Sequence, residues 1–188
     1  MMPFLTIVTG TYRRPRMLRR CIASVQAQSD PDYQQVFLTG DDESGIDGFH
    51  RRLGDEQHRY CGRYVYVLPD DDLLMDDEFI AGLKRICAEH DPDAVMVRAD
   101  KLELGILPRV GWGRRPLIGD VDILNYVVRA EVWKRHSAAF AKTEYPYHNG
   151  AYAGDCSFIR DVFASGARVW WWDRLVARSQ RISRGAPE

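Results

Sequence analysis

The sequence is poor in the features of nucleic-acid-binding, secreted and membrane-spanning proteins. Its 26 basic and 27 acidic residues give a formal net charge of −1, whereas nucleic acid and anionic membranes reward a strong excess of Lys and Arg. Its four cysteines form no Cys-x-x-Cys or Cys/His pair of zinc-site spacing, so we expect ordinary reduced thiols. No apolar run approaches the roughly 20 residues that span a bilayer. We therefore expect no nucleic-acid partner and no transmembrane segment.

The first residues also lack the marks of a secretory leader. The stretch from Met1 to Val8 contains neither a basic start nor a long apolar run, and it indicates a first strand instead of a signal peptide. We expect a cytoplasmic protein, with a role peripheral to a membrane left open.

The chain is long enough to bury one hydrophobic core. With 188 residues and 45% apolar content, we expect a single domain that covers residues 1–188. Apolar runs alternate with helical spacing along the first half, which predicts an open, mostly parallel α/β sheet flanked by helices. The predicted strands are 4–9, 36–39, 64–68, 94–98, 121–128 and 168–172. The predicted helices are 15–28, 49–60, 79–90, 130–136 and 155–165, with loops at 105–119 and 141–154.

Polar motifs follow the first three predicted strands. They are Thr9-Gly-Thr-Tyr-Arg-Arg-Pro15, Thr39-Gly-Asp-Asp-Glu43 and Leu68-Pro-Asp-Asp-Asp72. Ligands of an open α/β sheet bind beyond the carboxyl ends of its strands, so these motifs are expected to share one rim.

Three consecutive carboxylates stand directly after the apolar third strand. They repel one another unless protons or a cation intervene. Mg²⁺ and Mn²⁺ take few protein carboxylates and complete their coordination shell with water and phosphate oxygens. The sequence thus predicts a divalent cation beside a diphosphate ligand. The alternative for residues 70–72 is a solvated turn before the next helix.

Taken in order, the motifs resemble those of the family 2 inverting glycosyltransferases of the GT-A fold. The segment from Thr6 to Gln28 is similar to the family's "S-I-I-x-P-T-Y-N-R-P…L…S-x-x-x-Q", and Asp41-Asp-Glu-Ser44 is similar to its "D-D-G-S". Gly62 to Asp72 is similar to "G-x-Y-x-x-x-L-D-A-D-D", which carries the metal-binding DXD motif. Ala153-Gly-Asp155 is similar to the "E-D" that precedes a helix and supplies the base. The resemblance covers about 120 of the 188 residues.

This resemblance implies an activity and a set of site residues. The chain would be a metal-dependent inverting enzyme that moves a sugar from a nucleotide-diphosphate sugar, with a UDP-sugar favoured, to a hydroxyl of a carbohydrate, lipid-linked or protein acceptor. Asp155 would be the catalytic base, and Asp71 and Asp72 would hold Mn²⁺ or Mg²⁺. Trp112 and His148 are candidate acceptor contacts. The candidate donor-binding residues are Thr9, Thr11, Tyr12, Arg13, Asp41, Asp42, Arg51, Arg52 and Asp70.

The sequence also departs from the family pattern. Pro69 stands in place of the first DXD aspartate, Arg13 in place of asparagine and Gly154 in place of glutamate. The stretch between Asp42 and Tyr64 is shorter than the family's strand and helix at this point. These departures keep a degenerate, non-catalytic nucleotide-sugar-binding protein as an alternative.

Two further alternatives concern the enzyme class and individual acids. A sugar nucleotidyltransferase shares the nucleotide-binding sheet and the divalent cation, although it usually opens with a longer glycine-rich loop and a lysine. Asp155 could act only as an N-cap of its helix, and Asp41 and Asp42 could act only as Asx-turn residues. As a base, Asp155 would be kept ionised by the dipole of the helix that it begins.

Overall fold

The computed structural model describes residues 2–39, 45–141 and 154–180. Within these ranges the chain forms eight strands, which all belong to one sheet. The strands are β1 Leu5–Thr11, β2 Tyr33–Thr39, β3 Tyr64–Val67, β4 Asp72–Leu74, β5 Ala94–Asp100, β6 Ile106–Leu107, β7 Tyr126–Arg129 and β8 Val169–Ser179. The α-helices are α1 Pro15–Gln26, α2 Gly45–Asp55, α3 Phe79–His90, α4 Ala130–His136 and α5 Gly154–Ala164. Short 3₁₀ turns occupy Glu56–Arg59, Leu102–Leu104, Ile123–Asn125 and Ser137–Ala141.

The sheet is mixed, with most strands running one way. Its order is β2-β1-β3-β7-β5-β8-β4, and β6 pairs with β5 beside this path. β1 is parallel to β2 and β3, and β5 is parallel to β8. β7 enters antiparallel between β3 and β5, while β4 and β6 are antiparallel to β8 and β5. The predicted fold class, an α/β sheet of mostly parallel strands flanked by helices, is confirmed.

Both faces of the sheet are buried. Along β3, Tyr64 and Tyr66 pack into one apolar cluster, whereas Val65 and Val67 pack into the cluster on the opposite face. Successive strand residues point to opposite faces, so an apolar run without polar alternation requires cover on both sides. α1 and α3 contribute to the first cluster, and α4 and α5 contribute to the second.

The helix that follows β1 illustrates how local sequence sets an element. Pro15 occupies its first turn, where the missing N–H costs no hydrogen bond. Met17, Cys21 and Val25 are its buried residues, and their spacing of four places them on one face. Its exposed positions include Arg16, Arg19 and Arg20.

The structure differs from the predicted elements in the second half of the chain. The predicted strand 121–128 begins as a 3₁₀ turn because Asp122 accepts the Leu124 N–H at 3.1 Å while Asn125 accepts the Asp122 N–H at 2.8 Å. β6 lies inside the predicted loop 105–119, and β4 was not predicted. β8 runs on to Ser179 because it gains pairing from β5 on one side and β4 on the other.

Candidate functional site

A cleft of about 350 Å³ opens where the carboxyl ends of β1, β3 and β5 meet. β7 runs antiparallel to its neighbours, so the residues that precede it reach the same edge of the sheet. The first turn of α5 and one side of α2 complete the walls. The size is within the usual range of small-molecule sites. The lining residues are Gly10, Thr11, Tyr12, Arg14, Leu38, Phe49, His50, Arg52, Pro69, Asp71, Asp72, Lys101, Asp122, Ile123 and Asp155.

The acidic segment after β3 is a tight turn that leads into β4. The Asp72 N–H donates to the Pro69 carbonyl at 3.0 Å, and Gln180 binds the Asp70 and Asp71 carbonyls from the end of β8. Arg14 contacts two of the carboxylates, with Nη2 at 2.7 Å from Asp70 and Nη1 at 2.7 Å from Asp71. Arg14 therefore disperses the repulsion between neighbouring acids that the sequence predicts.

The three aspartates have different surroundings. The Asp70 side chain is fully buried, and burial raises its pKa although Thr11 and Arg14 oppose the shift. The Asp71 side chain is 27% exposed and faces the cleft. Asp72 is buried, accepts the Ser179 hydroxyl at 2.6 Å, and has a pKa that burial raises to about 7. Asp71 is thus the most accessible of the three carboxylates.

A lysine lies between two of the acids in the cleft. Lys101 Nζ lies 3.1 Å from Asp122 and 3.8 Å from Asp72. Burial raises the pKa of Asp122, although Lys101 opposes the shift, and a further rise comes from the negative charge of Asp155. For Lys101, burial lowers the pKa, but Asp122 and Asp72 outweigh it and the net shift is upward. Lys101 therefore stays protonated and supplies a fixed positive charge to the cleft.

Asp155 lies in the first turn of α5 and contacts a histidine. Its Oδ1 is 2.7 Å from Nε2 of His50, which α2 supplies. The Asp155 side chain is 19% exposed, and the His50 side chain is 2% exposed. The Tyr126 hydroxyl donates to the Asp155 carbonyl at 3.2 Å, which fixes the start of α5 against β7. Asp71 and Asp155 consequently line one cleft from two sides.

Only some of the candidate donor-binding residues line the cleft. Thr11, Tyr12 and Arg52 line the cleft. Buried Thr9 lies within β1, where its hydroxyl accepts from Gln35 at 2.9 Å. The remaining residues, exposed Arg13 and Arg51 and buried Asp70, lie outside the lining set. Arg13 has φ 52° and its guanidinium lies 5.1 Å from the centre of the Tyr12 ring.

The other candidates are the two acceptor contacts, Trp112 and His148, and the donor-binding residues Asp41 and Asp42. Trp112 packs edge-on against Trp171 at 5.0 Å, the Arg98 guanidinium lies 4.0 Å from its ring centre, and Trp112 is not among the residues that line the cleft. Asp41, Asp42 and His148 lie outside the described residues.

Sequence reasoning assigned no role in the site to three ionisable lining residues, His50, Lys101 and Asp122, and it included Arg14 only within the polar motif that follows the first strand. Lys101 follows β5, so the rule that ligands bind at strand ends would have selected it. Asp122 precedes an antiparallel strand, and its placement requires knowledge of the strand order. To predict His50 as a site residue, one must know how α2 packs near the start of α5, and the sequence carries no local signal for that packing.

The described residues contain no group of three or more His, Cys, Asp and Glu side chains that could hold a metal ion by themselves. Asp71 alone presents an accessible carboxylate at the expected place, and one of its oxygens already accepts from Arg14. Mg²⁺ is commonly bound through one or two carboxylates plus substrate phosphates. The residues therefore fit a cation that the ligand's phosphates help to hold, but not a site built from protein alone.

Sequence comparisons leave the family of the chain open, because no family model and no curated protein sequence matches it. Among the described residues, no helix combines the length and apolar character needed to cross a membrane.

Solved structures of the same fold are found in several proteins. TarS 1–349 from S. aureus in complex with UDP has a TM-score of 0.67 and 12% identity, over 95% of this chain and 60% of that one. The complex of TarS 1–349 with UDP-GlcNAc gives 0.67 and 10%, over 98% and 60%. A197 from STIV gives 0.52 and 13%, over 92% and 82%. This chain thus spans about 60% of the length of TarS 1–349, and at these identities the likeness establishes the fold alone.

Proposed function

We propose that this chain is a glycosyltransferase that uses a nucleotide-diphosphate sugar, resembles family 2, and transfers the sugar with inversion. The observation that carries the proposal is that the cleft is lined both by the accessible Asp71 and by Asp155, which contacts His50. That arrangement supplies a place for a charged leaving group and a separate place for a base. The TarS structures of the same fold bind UDP and UDP-GlcNAc, which favours a UDP-sugar as the donor.

The charges of the cleft suit a diphosphate that arrives with a cation. Its lining carries the acids Asp71, Asp72, Asp122 and Asp155 against the cations Arg14, Arg52 and Lys101. A diphosphate alone would add further negative charge beside these carboxylates, whereas a diphosphate with Mn²⁺ or Mg²⁺ would not. We assign the cation to Asp71, with Asp72 beside it. When bound, it would supply positive charge that stabilises the departing nucleoside diphosphate.

Transfer itself requires a base on the face opposite the leaving group. The acceptor hydroxyl gives its proton to the Asp155 carboxylate while its oxygen forms the new bond to the anomeric carbon. The bond from that carbon to the diphosphate oxygen breaks, and its electron pair stays on the diphosphate. Arg14 and Lys101 stand near the acids and add fixed positive charge to the same cleft. An attack from the opposite face inverts the anomeric centre.

The acceptor is proposed only by class, as a hydroxyl of a carbohydrate, a lipid-linked molecule or a protein. A cytoplasmic location, peripheral to a membrane where the acceptor is lipid-linked, agrees with this class of donor. A non-catalytic nucleotide-sugar-binding protein is the second candidate, because Arg14 already occupies one Asp71 oxygen and Pro69 precedes the acids.

A panel of nucleotide sugars, screened with Mn²⁺ for thermal shift and slow hydrolysis, tests the proposal. We expect Asp71→Ala to abolish metal-dependent donor binding in calorimetry, and Asp155→Asn to keep binding but lose turnover by about 10²–10⁴-fold. Asp77→Asn, an exposed acid beyond β4, is the matched control. Binding without any hydrolysis by the wild-type chain would favour the second candidate. Unchanged Mn²⁺-dependent affinity in Asp71→Ala would contradict the proposed donor site.

A further inference from the structure

A histidine from α2 contacts the carboxylate that we propose as the base. His50 Nε2 lies 2.7 Å from Asp155 Oδ1, and both residues line the cleft. His50 is 2% exposed, so this imidazole is held inside the protein and is not a surface group that meets Asp155 by chance. An imidazole beside a carboxylate is the arrangement by which many sites fix the orientation of an acid or a base.

The imidazole ring is fixed by an aromatic stack that runs from α2 to α5. It stacks on Phe140 with ring centres 5.6 Å apart and planes 27° apart. Phe140 is fully buried and stacks on Phe158 of α5 at 4.4 Å and 11°. Asp155 begins the same α5, so the two ends of the contact are tied together through packed rings. The stack limits the relative movement of the histidine and the carboxylate.

Asp122 is a second acid in the cleft, but its carboxylate is less available as a base because other groups already bind it. Asp122 accepts the Leu124 N–H at 3.1 Å and lies 3.1 Å from Lys101, so its carboxylate caps a turn and neutralises an ammonium group. Among the described residues, the Asp155 side chain contacts the imidazole of His50, and no lysine ammonium group lies within ion-pair distance of it. The comparison selects Asp155 as the carboxylate that is available to a hydroxyl.

We propose that His50 is the positioning residue for Asp155, a role that rests on the proposed transferase function. With a proton on Nε2, the imidazole restrains the Asp155 carboxylate in the orientation that an acceptor hydroxyl requires. The acceptor proton is taken by Asp155 and later passes to water, so His50 itself gains and loses no proton in the balance. Removing the imidazole lets the carboxylate rotate away from the line of attack.

Two variants of His50 distinguish the effect of its aromatic ring from the effect of its ring nitrogen. His50→Phe keeps a flat ring for the stack on Phe140 but has no group to hold Asp155. His50→Gln loses the ring but can place its amide nitrogen near the original Nε2. Mutation of a partner that orients a functional group typically lowers activity by about 10–100-fold. We expect His50→Phe to lower kcat by about that factor with KM and donor Kd within about twofold, and His50→Gln to recover part of the loss.

A double variant shows whether His50 acts through Asp155. In the Asp155→Asn background, His50→Gln should cause no further loss of kcat, because residues that act as a unit are not additive. If the double variant instead loses kcat by the product of the two single-variant factors, His50 acts independently of Asp155 and the inference is overturned. His58→Gln, at an exposed position in the 3₁₀ turn that follows α2, is the matched control and should keep wild-type kcat.

The outcomes separate this inference from the proposed function. A folded wild-type chain that binds and hydrolyses no nucleotide sugar refutes the proposed function and the His50 role with it. A wild-type chain that turns over donor, while His50→Phe and His50→Gln both keep its kcat within about twofold, refutes only the His50 role. Should His50→Phe fail to fold, judged by its thermal transition, His50→Gln alone and in the Asp155→Asn background decides the question.

Discussion

Replacing Arg14 with methionine should destabilise the protein although the residue is close to the surface. Its guanidinium lies 2.7 Å from Asp70 and 2.7 Å from Asp71. The Asp70 side chain is fully buried, whereas the Arg14 side chain is 31% exposed. Methionine keeps the apolar stem and removes the charge, so the variant leaves a buried carboxylate without its counter-ion.

The size of the effect follows from that geometry. Removing one partner of a buried ion pair costs about 3–5 kcal/mol. Solvent at Arg14 screens the pair, and burial already raises the pKa of Asp70, so the variant can escape part of the cost by binding a proton. We therefore expect a loss of about 3 kcal/mol in the free energy of unfolding. For a chain of this length, this loss lowers Tm by roughly 6–12 °C.

The assay is urea unfolding at neutral pH without donor or divalent cations. Arg20→Met, at an exposed position on the helix α1 that follows Arg14, is the matched control and should unfold within about 0.5 kcal/mol of wild type. The double variant Arg14→Met/Asp70→Asn should recover most of the lost stability, because the amide carries no charge to neutralise. Equal midpoints for Arg14→Met and Arg20→Met, or no recovery in the double variant, would refute the counter-ion role.

Two further predictions concern the pH dependence of folding and the packing of Gly10 against Phe49 in the wall of the cleft. Hydrogen bonds from Arg129 and Arg168 hold the pKa of Asp91 at about 2, so its stabilising contribution is present above about pH 4 and is lost as the pH falls through about 2. Asp91→Asn should therefore be less stable than wild type in urea at pH 6, and the difference should shrink at pH 2.5; an unchanged difference would contradict this. A Cβ on Gly10 would lie 2.4 Å from the Phe49 ring, so Gly10→Ala should cost about 1–3 kcal/mol, and adding Phe49→Leu should recover part of it.

Elements with a strong local period could be predicted from the sequence. The apolar run at β3 and the helical spacing in α1 and α3 are signals within single segments, and the structure has these elements close to the predicted bounds. β4, with Asp72, Leu73 and Leu74, could not be predicted, because three residues become a strand only by pairing with β8. The 3₁₀ turn before β7 depends on the cap that Asp122 provides.

Site residues could be predicted from the sequence only where they directly follow a predicted strand or begin a predicted helix. Asp71 follows a buried strand and Asp155 begins a helix, so their positions at one rim follow from the fold class. The pairing of His50 with Asp155 joins residues that are distant in sequence and depends on how α2 packs. The roles assigned to both aspartates stay predictions until donor and acceptor are identified.

The central claim is that the cleft holds the diphosphate of a nucleotide sugar through a cation at Asp71, within reach of Asp155. The most direct measurement is a crystal structure with UDP and Mn²⁺, using the anomalous signal of the metal to locate it. The claim predicts an anomalous peak roughly 2.0–2.3 Å from an Asp71 oxygen and the diphosphate between Asp71 and Arg52. A nucleotide bound elsewhere, or a diphosphate in this cleft with no metal peak near Asp71 in crystals saturated with Mn²⁺, would contradict it.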